Sequence, residues 1–158
     1  MLSRAANAAE SAGDTAGQAL ALTGLGLASL RDGAYAQAAA HLSRSLDRYQ
    51  RLGDRVAEAR SHVGIGASLA LQSRCGEALI HAQQARDLFR EAGHTLGEAG
   101  ALDDIGWYDA RLGDYEQALA WCERALAAFR GIGHRRGEAT ASDSLGQPRL
   151  RSSPPRRS

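Results

Sequence analysis

Asp103, Trp107 and Arg111 follow one another at intervals of four residues, so on a helix they share one face, with an indole between a carboxylate and a guanidinium. That stripe suits recognition, because Trp and Arg are over-represented among the residues that dominate binding interfaces. Asp104 adjoins Asp103, but neighbouring helix positions point about 100° apart, which predicts that the two carboxylates do not act as a pair on one substrate. His41 and His81 lie one repeat period apart, and stacked helices bring such positions within roughly 8–10 Å of one another. No third ligand accompanies them, so no metal is expected. His94 and His134 each follow a glycine and read as loop or cap residues. Cys75 and Cys122 form neither a CxxC pair nor a metal spacing, which predicts two reduced cysteines in helix packing and a cytoplasmic setting. Gly24-Leu25-Gly26 and Gly64-Ile65-Gly66 look like fragments of a phosphate-cradling loop but lack the third glycine and a preceding strand. No Ser-His-Asp or Cys-His spacing is present. These residues together predict no enzyme activity, no cofactor and no metal.

The elements that position these residues repeat with a period of forty. Gly13, Gly53, Gly93 and Gly133 are evenly spaced, followed by Asp14, Asp54, His94 and His134. Gln18, Glu58, Glu98 and Glu138 keep the step, each before an alanine (Ala19, Ala59, Ala99, Ala139). Gly26, Gly66 and Gly106 recur, as do Ala38, Ala78 and Ala118, and Tyr49, Phe89 and Phe129. A period of this length marks stacked supersecondary units. Each unit reads as two helices. The first spans roughly 17–31, 57–72 and 97–111; the second spans 34–51, 74–91 and 114–130. Thr15–Gln18, Thr95–Glu98 and Asp114–Gln117 fit capping boxes. Gly33 and Gly113 fall at the turn within a hairpin; Gly53, Gly93 and Gly133 fall after the second helix, where a left-handed residue ends a helix. Glycine inside the first helix costs roughly 1 kcal/mol relative to alanine. Its recurrence predicts close approach to the small surface of Ala38, Ala78 and Ala118.

The chain has 158 residues, 44% hydrophobic and 23% charged, which suits one soluble domain. All 19 cationic residues are arginine, against 18 acidic ones. Four of the arginines stand in the last ten residues, which contain no acid, so the repeats themselves are mildly acidic. That balance argues against nucleic acid as a partner. The sequence contains no apolar run long enough to span a membrane, and its first twenty residues lack the apolar core of a signal peptide.

The run Gly113-Asp114-Tyr115-Glu116-Gln117-Ala118 after Ile105-Gly106, with the small residue Ala125 beyond, resembles a tetratricopeptide repeat. The forty-residue period and the junction Gly133-His134-x-x-Gly137-Glu138-Ala139 are similar to the C-terminal repeats of bacterial antibiotic-regulatory-type transcriptional activators. The resemblance implies an all-α, right-handed α-α superhelix of tetratricopeptide-type hairpins. It divides the chain into the end of a preceding second helix (1–13), repeats at 14–53, 54–93 and 94–133, the start of a fourth (134–146) and a tail (147–158). The tail holds Pro148, Pro154 and Pro155 and four arginines, and is expected to be disordered. Both ends cut into a repeat, which predicts a piece of a longer protein or self-association through uncapped ends.

Family resemblance also places the first helices along a concave groove. Its stripe comprises Leu20, Thr23, Leu27 and Arg31, then Arg60, Val63, Ala67 and Leu71, then Gly100, Asp103, Trp107 and Arg111. Leu27, Arg31, Arg60, Asp103, Trp107 and Arg111 are the expected partner-binding residues. For Trp107 a second placement stays open: packed on the preceding repeat, with Asp103 and Arg111 solvated. Trp121 is expected on the outer side or against a neighbouring hairpin. The function implied is a non-catalytic module that binds a protein or peptide in its groove. The alternative is a regulatory or sensor fragment of a bacterial transcriptional activator.

Overall fold

A computed structural model describes residues 2–11 and 14–152, and these contain eight helices and no strand. They are α1 (Leu2–Ser11), α2 (Thr15–Arg31), α3 (Tyr35–Leu52), α4 (Arg55–Leu71), α5 (Cys75–Glu91), α6 (Thr95–Leu112), α7 (Tyr115–Gly131) and α8 (Arg135–Ser152). The hairpins α2/α3, α4/α5 and α6/α7 stack in chain order, α1 packs on α2, and α8 packs on α7 and α6. Successive first helices approach closely (α2 with α4, α4 with α6, α6 with α8), whereas the backbones of α3, α5 and α7 stay farther apart. A stack that is close on one side and splayed on the other curves toward the close side. The even-numbered helices therefore line the inside of a right-handed superhelix.

The glycine–alanine repeat is the close contact that its spacing predicts. A Cβ added at Gly106 would stand 2.5 Å from Cys122 Sγ and 3.0 Å from Ala118 O. One at Gly66 would stand 3.4 Å from Ala78 O, and one at Gly26 would stand 3.4 Å from Ala38 O and 2.5 Å from Leu42 Cγ. Ala38, Ala78 and Ala118 are fully buried. Gly33, Gly53, Gly93, Gly113 and Gly133 all have positive φ, and Ser73 takes the same left-handed turn with φ 61° where the other hairpins use glycine.

The forty-residue junction is a structural device. Asp14 and Asp54 accept hydrogen bonds from Gly17 N (2.8 Å) and Ala57 N (3.1 Å). His94 Nδ1 accepts from Gly97 N at 2.9 Å, and His134 Nδ1 from Gly137 N at 3.0 Å. The junction residues themselves are thus the caps, and the first helices start two residues earlier than expected, with Thr15 and Thr95 already inside them. Asp114 makes no side-chain cap bond either; its backbone N–H donates to Asp109 O at 2.9 Å and fixes the entry to α7 instead. Gly97 makes room for Phe89, whose ring packs against His94 with centroids 5.2 Å apart; Phe129 and His134 repeat the arrangement at 5.7 Å. Glu98 pairs with Arg90 at 2.8 Å, tying the end of one hairpin to the start of the next.

At the C-terminal end the backbone departs from expectation. Helix α8 continues through Gln147 and Pro148 to Ser152, whereas the repeat register predicts that order ends at Gly146. Proline forfeits one N–H bond, but its fixed φ near −65° is itself helical. Helix α8 packs on α6 and α7 and, like α6, is 18 residues long. Residues 153–158 of the tail, and the junction residue Gly13, lie outside the described residues.

Candidate functional site

Three hollows follow one another along the inner helices. The first, about 400 Å³, lies between α2 and α4 and is lined by Leu20, Thr23, Leu27, Leu42, Tyr49, Ala57, Arg60, Ser61 and Gly64. The second, about 300 Å³, lies between α4 and α6 and shares Leu27, Arg60 and Gly64 with the first, adding Val63, Gly100, Ala101 and Asp104 among others. The third, about 410 Å³, lies between α6 and α8 and is lined by Asp103, Asp104, Trp107, Thr140, Asp143 and Ser144. Asp104 lines both the second and the third. Small residues open these hollows. A Cβ at Gly64 would meet Leu42 Cδ1 at 2.8 Å, while at Gly100 nothing stands within 4 Å.

The groove changes character along its length. Its first two hollows are apolar, with Leu20 69% and Leu27 49% exposed, and Arg60 is the cation at their rim. Thr23 and Ser45 sit beneath, their hydroxyl oxygens 2.7 Å apart, with Ser45 donating to Ala19 O at 3.0 Å. The third hollow is acidic. Asp103 is buried and its Oδ1 has no hydrogen-bond partner. Burial raises its carboxyl, opposed by Ser144. Burial and the charge of Asp103 push the Asp104 carboxyl up to about 7. Two like charges in one crowded hollow resist joint ionisation.

Of the expected partner-binding residues, Leu27 and Arg60 meet in the apolar hollows, and Asp103 and Trp107 meet in the acidic one. Trp107 lines the hollow and also packs on the core around Leu69, Ile105 and Tyr108, while Asp103, solvated in the second placement, is buried here. Arg111 reaches the hollow only through Trp107, its guanidinium carbon 5.1 Å from the ring centroid. Arg31 is exposed in the last turn of α2 and is not among the lining residues. Asp103 and Asp104, about 100° apart on α6, both line the third hollow. Asp143 and Ser144 of α8 stand forty residues beyond Asp103 and Asp104, so the repeat step points to them, and the packing of α8 on α6 brings them to the site.

The histidine pair also differs from expectation. His62 of α4 meets His81 of α5, with Nδ1 atoms 2.8 Å apart and rings 5.1 Å apart. Burial, then the neighbouring His81, lowers His62 to about 4, with Glu58 opposing; burial also lowers His81. One neutral ring donates to the other. No group of three side chains among the described residues converges as a metal site. Trp121 lies between hairpins, packed on both the central and C-terminal cores, with Arg86 and Arg124 over its ring at 5.4 and 4.7 Å. Cys75 and Cys122 are buried free thiols, and burial followed by nearby carboxylates raises Cys122 to about 12.

Comparison with known proteins agrees with this geometry. Residues 17–91 match the family model of the tetratricopeptide repeat. The TPR domain of Arabidopsis FLU, known from a crystal structure, superposes with a TM-score of 0.71 at 22% identity, covering 74% of this chain and 98% of that one. The fold is therefore that of a tetratricopeptide-repeat superhelix. No curated protein matches the chain. No helix among the described residues is long and apolar enough to cross a membrane.

Proposed function

We propose that this chain is a non-catalytic protein-interaction module that holds a peptide segment of a partner along its inner groove. The observation that carries the reading is the succession of three hollows along the inner helices, the first two sharing Leu27 and Arg60 and the last two Asp104. A segment lying there sets apolar side chains against Leu20, Leu27 and Val63, and turns polar toward Asp103 and Trp107. Exposed leucines in a preformed cleft lose little entropy when covered, which favours binding over folding as their role.

Selection of a displayed peptide library against the purified chain tests this. The selected peptides should compete with one another and lose affinity at least tenfold on Leu27→Asp or Trp107→Ala, with helicity retained. Peptides that survive both substitutions, or that map to α3, α5 and α7, would defeat the reading.

A second reading, as a regulatory fragment of a bacterial transcriptional activator in the cytoplasm, rests on the forty-residue junction at 93–99 and 133–139. The caps, the Phe-accommodating glycines and the Arg90–Glu98 tie give that junction a structural role, so its recurrence weighs less for regulation than the groove does for binding. Translating the DNA on either side decides it: an upstream nucleotide-binding domain supports the regulator, and unrelated genes on both sides reject it. Self-association through α1 and α8 belongs to the same proposal.

A further inference from the structure

We propose that the acidic hollow between α6 and α8 is a subsite for a cationic side chain of the bound peptide, an arginine or lysine seated among Asp103, Asp104 and Asp143 against Trp107. The inference rests on the groove reading above and names the chemistry of one position within it.

Three carboxylates line one cavity, and among the described residues none of them forms an ion pair. Like charges gathered without a counter-ion are costly, and each stands to gain from a cation. Asp103 supplies an independent sign. It is 8% exposed, and its Oδ1 is enclosed by protein without a hydrogen-bond partner. Such atoms are rare because the desolvation cost is uncompensated. Ser144, which lines the same hollow, hydrogen-bonds the Asp103 carboxyl and also lies 3.1 Å from Thr140 O, but leaves Oδ1 of Asp103 unpartnered. The titratable and charged groups around Asp104 are Asp103 and Tyr108 on its own helix, Arg60 of α4 in the lining of the second hollow, and Asp143 of α8 in the third. Arg60 is exposed at the apolar end, and Arg111 is engaged with Trp107.

The occupant is an organic cation and not a metal ion. The three carboxylates surround a volume of about 410 Å³ but do not converge as metal ligands. A guanidinium spreads its donors over a planar fork that reaches separated carboxylates, while the indole of Trp107 covers the aliphatic stem. The same acidity rejects peptides with a carboxylate at this position, so the subsite sets the direction and register of the bound segment.

A single amino acid tests the subsite, because it cannot span the groove. The probe is N-acetyl-arginine methylamide, titrated into the full chain while the two indole N–H resonances are followed. Saturable movement of the Trp107 resonance with Trp121 unmoved is expected. The neutral isostere N-acetyl-citrulline methylamide should bind at least tenfold more weakly, as should the arginine probe to Asp103→Asn/Asp143→Asn. That double variant should melt no lower than the parent, since it relieves repulsion. Binding should strengthen from pH 5.5 to 8, as Asp104 ionises. Equal movement by both probes, or full binding to the double variant, overturns the assignment. So does a several-fold gain in affinity on deleting residues 153–158, which would make the chain's own arginines the occupant. Failure here with peptide binding intact removes the subsite alone; arginine binding without any groove-binding peptide removes the groove reading instead.

Discussion

At the residue scale, the inner helices are built on glycines whose reasons differ from one site to the next. Gly106 lies where a side chain has no space: its added Cβ would press on Cys122 Sγ at 2.5 Å and on the Ala118 carbonyl at 3.0 Å. The carbonyl is backbone and cannot rotate away. Gly106→Ala should therefore destabilise by about 1–3 kcal/mol, the usual cost of overpacking, despite the better helix propensity of alanine. Gly100, six residues earlier on the same helix, meets nothing within 4 Å. There the propensity term acts unopposed, and Gly100→Ala should stabilise by roughly 0.5–1 kcal/mol. Thermal denaturation of the two variants should move in opposite directions, and a shift of the same sign would mean that the Gly106 contact relaxes. The recurrence of Gly26, Gly66 and Gly106 at one register makes this approach legible in the amino-acid sequence alone. The carboxylates of Asp103 and Asp104 are legible there only as residues. Their common hollow depends on α8 lying across α6, which no spacing along one helix reveals.

At the element scale, two neighbouring helices carry opposed pH dependences. His62 on α4 is held neutral by burial and by His81 of α5, which Glu77 faces in turn, while Glu58 on its own helix opposes. Its folded pKa, about 4, lies below the ordinary 6.5. Its contribution to stability is therefore present above the unfolded value and is lost as pH falls through 6.5 toward 4. Asp104 on α6 is shifted the other way, from 3.8 up to about 7. Its contribution is present at low pH and is lost as pH rises from 3.8 through 7. The two windows overlap, so the parent protein should show a shallow profile between pH 7 and pH 5. His62→Leu, the residue that Leu22 and Leu102 place at this register, should make the melting temperature climb on acidification. Asp104→Asn should make it fall by several degrees over the same range. Parallel profiles for parent and both variants would show that neither group titrates in that window. The periodicity locates the helices to within a few residues, but it points to His41 and His81 as the neighbouring pair. Successive second helices keep their backbones farther apart, because the stack splays on that side, whereas α4 and α5 of one hairpin pack together.

At the scale of the whole molecule, the stack leaves matching faces at its two ends. Among the described residues, every first helix except α8 is covered by its hairpin partner, and the small residue at the centre of that contact is fully buried in Ala19, Ala59 and Ala99. Ala139 holds the same register on α8 and is exposed. The face it belongs to is shaped for a second helix of the repeat. Helix α1, which among the described residues packs on α2 alone, offers a helix that such a face could take. Docking α1 of one copy onto α8 of another would rebuild a hairpin in trans. That contact joins different surfaces on the two copies, so it does not close on itself as a two-fold dimer does, and it extends into a ring or a chain of copies. Sedimentation across micromolar to millimolar concentration should accordingly show mass rising past a dimer. Ala139→Glu, which sets a charge at the centre of the open face and leaves every buried contact of the hairpins in place, should return the protein to a monomer with an unchanged melting temperature. A parent that stays monomeric throughout would show that the exposed face of α8 is tolerated by solvent. An assembly that stops at a dimer and survives Ala139→Glu would place the contact elsewhere, with the leucines of the inner groove, Leu20 and Leu27, the next surface to substitute.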